Sequence, residues 1–226
     1  MRTFVLSVRT LVLICFVFLL STRSFSQSIT TGNGKVEVGL GIGPMFFLGD
    51  LGGNAGVGMS TWLKDVQFPL TKLSKGIYLN MYPSEWLGFR LAANQGKLDG
   101  YDSKTKNKGG EEVHRLERNL QFQTNILEGY LALELYPTVP FERYEGRAKK
   151  FRPYGVIGVG VFHFNPKGQY FAPNGTSSWV PLQPLRLEGQ GFDEYPDRKP
   201  YSLTQLEIPM GVGFKYYLKE NMYVGM

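Results

Sequence analysis

Apolar residues alternate with small or polar ones along several stretches of this 226-residue chain. A period of two dictates β-strands. Val36, Val38, Leu40 and Ile42 interleave with Glu37, Gly39, Gly41 and Gly43. Leu206, Ile208, Met210, Val212, Phe214 and Tyr216 interleave with Gln205, Glu207, Pro209, Gly211, Gly213 and Lys215. A soluble sandwich turns its apolar face to a core. Here the strands are long and the opposite face holds glycine, carboxylate, amide and ammonium groups. That pattern belongs to strands with apolar residues towards lipid and small or polar ones towards a lumen.

Extended along the chain, the pattern predicts seven strands. The first covers residues 35–45 and leads into a glycine-rich loop, with a short helical turn at 60–64. The second covers 70–82, with Ile77, Leu79 and Met81 on one face, and a tight turn at Pro83-Ser84-Glu85 follows. The third starts at Trp86, with Leu87, Phe89, Leu91 and Ala93 outward and Gly88, Arg90 and Asn94 inward. A polar loop is expected from Asp99 to Arg118, with its lysine-, glycine- and glutamate-rich segment Ser103 to Glu112 mobile. The fourth strand covers 119–136, with Leu127, Leu131, Leu133 and Leu135 opposite Glu128, Tyr130 and Glu134. Leu120 and Phe122 are out of phase with those leucines, which predicts a bulge near Asn125 or a strand that rises above the membrane. The fifth covers 151–164, the sixth 201–218 and the seventh starts at Met222.

Links after the first, third and fifth strands are long, those after the second and sixth are tight, and the one after the fourth is intermediate. Outer-membrane barrels show this asymmetry, with short periplasmic turns and long external loops. Tyr82, Trp86, Tyr136, Tyr216, Tyr217 and Tyr223 fall at strand ends beside the short turns, where a periplasmic aromatic girdle is expected. The predicted fold class is all-β, an antiparallel transmembrane β-barrel. Bacterial barrels have an even strand number, so the expectation is eight strands in the full-length protein with about seven present here.

The N-terminus supplies the route to such a membrane. Arg2 and Arg9 precede an unbroken apolar run from Leu11 to Leu20, and Ser24-Phe25-Ser26 offers small residues at the cleavage positions. Residues 1–26 therefore read as a signal peptide and 27–226 as the barrel domain of a Gram-negative outer-membrane protein. A run of ten is too short for a spanning helix, which needs about 20 apolar residues. Cleavage removes Cys15, the only cysteine, and with it disulfide and thiol chemistry. It also removes Arg2, Arg9 and Arg23 and no acid, so Lys+Arg falls from 25 to 22 against 19 Asp+Glu, and the net charge from +6 to +3. That modest excess, without a basic helix, argues against nucleic acid as a partner.

Little in the sequence points to catalysis. Gly39-x-Gly41-x-Gly43 lies inside a strand, so it reads as a lumen-facing glycine row and not as a phosphate loop. His163 ends the fifth strand near Ser177 and Ser178, the one combination from which a surface hydrolase could be built. His114 falls in a charged loop, and no His/Cys set has metal spacing. Asp193, Glu194 and Asp197 read as a solvated acidic loop before a calcium site. No catalytic residue, metal or cofactor is assigned. Glu37, Arg90, Glu128, Glu134, Glu207 and Lys215 are predicted to face inward and to form a salt-bridge network that plugs a small barrel, the alternative being a charged pore.

Binding surfaces are the better candidates. The segment 165–200 carries Trp179, Phe192 and Tyr195 among prolines, a composition suited to partner contact or to a cap over the barrel mouth. Arg143, Arg147, Lys149 and Lys150 form a basic periplasmic segment suited to docking or to lipid headgroups.

Several segments together carry a family resemblance. They are Phe47-Leu48-Gly49-Asp50-Leu51, Arg118-Asn119-Leu120-Gln121-Phe122, and Phe164-Asn165-Pro166-Lys167. With them stand Trp179-Val180-Pro181-Leu182-Gln183-Pro184-Leu185 running into Glu188-Gly189-Gln190-Gly191, and Ile208-Pro209-Met210-Gly211-Val212-Gly213. This chain resembles the PorG-like outer-membrane barrels, some of which belong to type IX secretion and gliding machinery. The resemblance covers the mature chain, and the family's acidic C-terminal segment is not in this sequence. It implies an eight-stranded barrel without enzymatic activity that contacts periplasmic or outer-membrane envelope proteins, in outer-membrane lipid. The alternatives are a lipid-modifying outer-membrane enzyme and a small passive pore.

Overall fold

The computed structural model describes residues 34–49, 51, 68–105, 107–110, 112–141, 150–219 and 222–226. The signal segment, the turn at 60–64, Asp50, Arg143, Arg147 and Lys149 lie outside the described residues. The rest is one curled antiparallel sheet. Its strands are β1 (Lys35–Met45), β2 (Lys72–Tyr82), β3 (Leu87–Tyr101), β4 (Gln121–Leu135), β5 (Phe151–Phe164), β6 (Lys167–Phe171), β7 (Ser177–Pro181), β8 (Thr204–Glu207), β9 (Met210–Lys219) and β10 (Met222–Gly225). The path runs β1-β2-β3-β4-β5-β9-β10, with β8 beside β5 and the β6–β7 hairpin joined to β4. No backbone pairing joins β1 to β10 among the described residues.

The predicted sixth strand is split. Glu207 pairs Gly160 and Met210 pairs Ile157, so the register is unbroken across the gap. Pro209 has no N–H to give the ladder, although its carbonyl still accepts from Gly158 N at 2.9 Å. The outward phase of Leu206, Ile208, Met210 and Val212 is kept, and all four are exposed.

The lower part of the sheet is inside out. Val212 is 92% exposed and Leu40 83%, whereas Lys215 is 1% exposed and Glu134 is fully buried. The outward set takes in Val36, Val38, Ile77, Phe89, Leu91, Leu131, Leu133, Ile157 and Val159. In water each such residue forgoes roughly 1.5–3 kcal/mol of apolar burial.

That pattern stops at a line. Along β3 the outward run Leu87, Phe89, Leu91, Ala93 gives way to Gln95 and Lys97. On β4 the run from Leu135 down to Leu127 gives way to Asn125, Gln123 and Gln121. On β5, Ile157, Val159 and Val161 give way to His163. Beyond the line the concave face turns apolar instead, with Phe122 and Ile126 buried and Phe47 against Phe122 at 4.7 Å between ring centroids. This settles the phase change on β4. The ladder with β3 is continuous from Leu87↔Leu135 to Tyr101↔Gln121, so no bulge interrupts it near Asn125. The surroundings of the strand change, not its geometry. The apolar band from Leu127 to Leu135 spans about 27 Å along the strand, or about 20 Å in height at barrel tilt.

Two expected loops are ordered. β3 reaches Tyr101, past the expected loop start at Asp99, and a helix, α1 (Glu112–Arg118), follows. Asp102 is fully buried and holds Arg118 Nε at 2.8 Å and Leu120 N at 3.1 Å. Glu112 accepts from the backbone N–H of Lys108 at 2.6 Å and of Gly110 at 3.1 Å. These buried carboxylates fix a segment whose composition alone reads as mobile. The segment 165–200 likewise contains the β6–β7 hairpin and a short 3-10 turn, Gln183–Leu185.

Candidate functional site

The concave face gathers charge. On β9 the alternation sends Val212, Tyr216 and Leu218 outward and Lys215 inward. Its Nζ donates to Glu37 Oε2 of β1 at 2.7 Å and stands 3.4 Å from Glu134 Oε2 of β4. It also contacts the hydroxyl of Tyr82. Glu134 is ion-paired with Arg90 and accepts from Tyr136 at 2.6 Å. The Tyr82 hydroxyl lies 2.9 Å from Glu37 Oε2 and 2.8 Å from Glu134 Oε2, and its one proton serves either. Arg90 Nε donates to Asn80 at 3.2 Å. Lys35 caps the cluster from below, 2.6 Å from Glu37 Oε1.

Aromatic rings wall this cluster. Lys215 Nζ lies over the rings of Tyr223 at 4.5 Å and Tyr82 at 4.9 Å, and Arg90 over Tyr78 at 4.9 Å. Tyr78 and Tyr223 join by their hydroxyls at 2.9 Å, which ties β2 to β10. The expected aromatic girdle is corrected here. Tyr82 and Tyr136 are buried, and Tyr217 and Tyr223 also face the concave side. Outward at that rim stand Trp86, Phe151 and Tyr216. The phase explains the difference: Tyr82 is in step with Tyr78 and Asn80, not with Leu79 and Met81.

Three cations, Lys215, Arg90 and the partly exposed Lys35, thus meet two carboxylates, Glu37 and Glu134, with phenols and an amide as further partners. The recess beneath it, bordered by Lys35, Glu37, Tyr82, Glu85, Tyr136, Arg152 and Tyr217, measures about 20 Å³. That holds about one water. The predicted inward orientation of Glu37, Arg90, Glu134 and Lys215 as a network is what the structure has. Glu128 instead accepts from Asn94 at 2.6 Å, and Glu207 lies by Gly160, outside the cluster.

Gly39 belongs to the same face. A Cβ there would run into the ring of Tyr78, so glycine makes room for the phenol. Gly41 and Gly43 face open space, and the glycine row is needed for packing only at its first member.

The structure does not bring His163 and Ser177 together. His163 Nδ1 bonds Thr204 Oγ1 at 3.1 Å, while Ser177 pairs with Phe171 at the far end of the β6–β7 hairpin and bonds Gln169 at 3.1 Å. Among the described residues no group of three or more His, Cys, Asp or Glu side chains is placed to hold a metal.

The segment around the Leu182-Gln183-Pro184-Leu185 and Glu188-Gly189-Gln190-Gly191 motifs folds on itself. Leu182 N donates to Pro166 O at 2.8 Å, and Gln183 Nε2 to Tyr201 O at 3.2 Å. Gly189 at φ +74° and Gly191 at φ +73° take left-handed turns. Arg198 Nη1 donates to Glu188 O at 2.6 Å and lies over the Tyr195 ring at 4.7 Å. Burial, and then the Glu188 carboxylate, raise the Tyr201 phenol above its ordinary pKa. Phe192 and Tyr195 are exposed, and Trp179 is half-buried on β7. Of the basic segment, Lys150 is described. It is exposed at the end of the sheet opposite the long loops, where its carbonyl accepts from Tyr217 N at 2.8 Å. Gly49 packs against Phe47, and Gly213 against Tyr154 at 2.7 Å from an added Cβ, whereas Gly211 is loosely surrounded.

Comparison with known families, curated proteins and solved structures finds no match.

Proposed function

We propose that this chain is a Gram-negative outer-membrane β-barrel that serves as a structural and interaction component of an envelope complex, exported by its signal peptide. The observation that carries the reading is the line across the outer wall. Below it apolar side chains face out and charges face in, and above it the outward positions of β3, β4 and β5 turn polar. A bilayer edge accounts for such a switch on three neighbouring strands at once. A partner protein would cover a patch and leave a ragged boundary, and an exposed band of this extent otherwise invites aggregation.

The ion cluster argues against the passive pore. It fills the concave face near the end with tight turns and leaves a recess the size of one water. The resemblance to PorG-like barrels favours a role in type IX secretion or gliding machinery, with a periplasmic complex as partner. Within that reading the docking segment is Arg143, Arg147, Lys149 and Lys150. Four cations on one short link steer and hold an acidic partner, and the contact weakens as salt rises.

The test is replacement of all four by glutamine in the native membrane. The variant is expected to fold normally and to lose most co-purification of envelope proteins. Full retention of those proteins, with normal secretion, would assign the segment to headgroup anchoring and overturn the docking role.

A further inference from the structure

The β4 wall carries an open groove just above the apolar band. It has a volume of about 390 Å³ and is bordered by Lys97, Gln123, Thr124, Asn125, His163, Asn165 and Lys167. Cross-strand partners in an antiparallel sheet point to the same side. Lys97 is opposite Asn125, Gln123 opposite Lys167, and His163 opposite Leu127, which is 59% exposed on the outer wall. The groove therefore opens outward, directly above the leucines of β4. It lies where β5 ends at Phe164 opposite Ile126 and β6 pairs Gln123 through Lys167 in the same register, with Asn165 and Pro166 between them outside the ladder.

The lining has the chemistry of an anion site. No carboxylate among the described residues forms an ion pair with Lys167. Lys97 Nζ has one acidic neighbour, Asp99 Oδ1 at 3.7 Å, and the other oxygen of that carboxylate is held by Lys72 at 2.9 Å. Gln123 and Asn125 add neutral donors and acceptors. Asn165 Oδ1 is buried without a hydrogen-bond partner, and its backbone N–H is fixed by Thr124 Oγ1 at 3.0 Å.

We infer that this groove binds the phosphorylated headgroup of an outer-leaflet lipid. The inference rests on the membrane reading above, and height on the wall decides the occupant. A lipid whose acyl chains lie along Leu127, Leu131 and Val161 brings its headgroup to this level. The two lysines meet the phosphate, and the side-chain amides meet sugar or glycerol oxygens. A soluble anion has no reason to select a groove at the rim of an apolar band.

The experiment uses the full chain refolded in detergent micelles and native mass spectrometry. The probes are lipid A, the same lipid stripped of its phosphates, and inorganic phosphate. One lipid A is expected to stay bound, with at least tenfold preference over the stripped form. Lys97→Gln with Lys167→Gln is expected to weaken it about thirtyfold, which corresponds to about 1 kcal/mol per cation. Inorganic phosphate in the millimolar range is expected not to displace it. Equal binding of both lipids, an unaffected double variant, or displacement by inorganic phosphate would each overturn the site. Insertion into vesicles, read by protease protection, separates the two readings. A chain that inserts without lipid preference loses this site alone, and a chain that does not insert loses both.

Discussion

Glu134→Gln is the most informative single change, because it alters one charge and almost no volume. Glu134 is fully buried, pairs with Arg90, and receives the Tyr136 hydroxyl at 2.6 Å. Glutamine can still accept from a tyrosine, but its amide NH2 would face Arg90 or Lys215, donor against donor. Lys215, Arg90 and Lys35 would then have only Glu37 between them, and the buried Arg90 would lose its paired carboxylate. Breaking a buried pair in this way costs about 3–5 kcal/mol, against about 0–1 kcal/mol for an exposed pair. A loss of that size is a large fraction of a domain's stability. Adding Lys215→Met removes one of those cations. The double variant is expected to recover about 1–3 kcal/mol relative to the sum of the single changes. Urea unfolding in lipid vesicles, followed by tyrosine and tryptophan fluorescence, measures all three variants. Glu134→Gln within 1 kcal/mol of the parent, or strict additivity in the double variant, would refute the claim that these residues act as one coupled unit.

Three further outcomes are expected. Val212→Arg and Leu133→Arg should each cost about 2–4 kcal/mol in vesicles if they face lipid at mid-depth, and indifference to both would remove the lipid face. Gly39→Leu should destabilise by driving a side chain into Tyr78, and Tyr78→Ala should rescue part of that loss in thermal unfolding; no rescue would mean that Gly39 matters for another reason. Cysteines at Lys108 and Ser178 should react with an impermeant thiol reagent on intact cells, and one at Lys219 only after the outer membrane is opened. Labelling of Lys219→Cys on intact cells would invert the topology.

The strands were legible because a period of two leaves little freedom once one face is polar. β1 and β5 fall at their predicted bounds, and the inward placement of Glu37, Arg90, Glu134 and Lys215 follows from phase alone. Tyr82, Tyr136, Tyr217 and Tyr223 depart from the expected girdle because phase, and not position near a strand end, sets the face. Tyr82 and Tyr136 are in step with Asn80 and Glu134, a signal present in the sequence. The buried carboxylates that follow β3 were hidden for a different reason. Asp102 and Glu112 look like solvent-facing acids in a lysine-rich stretch, and only the fold shows them buried against Arg118 and backbone N–H groups. The rim groove was out of reach as well. It depends on the ladder lapsing at Asn165 and Pro166, which alternation does not locate.

The Lys215–Glu37 contact spans 178 residues, and that separation sets an order of assembly. β1 is made first and carries a carboxylate with one partly exposed cation beside it, Lys35, whereas its buried partner Lys215 arrives only with β9. Until then Glu37 enters a low-dielectric interior at a greater cost. On the membrane reading, the charged face is completed only when the sheet curls and brings β9 against β1, which couples insertion to the curling of the sheet.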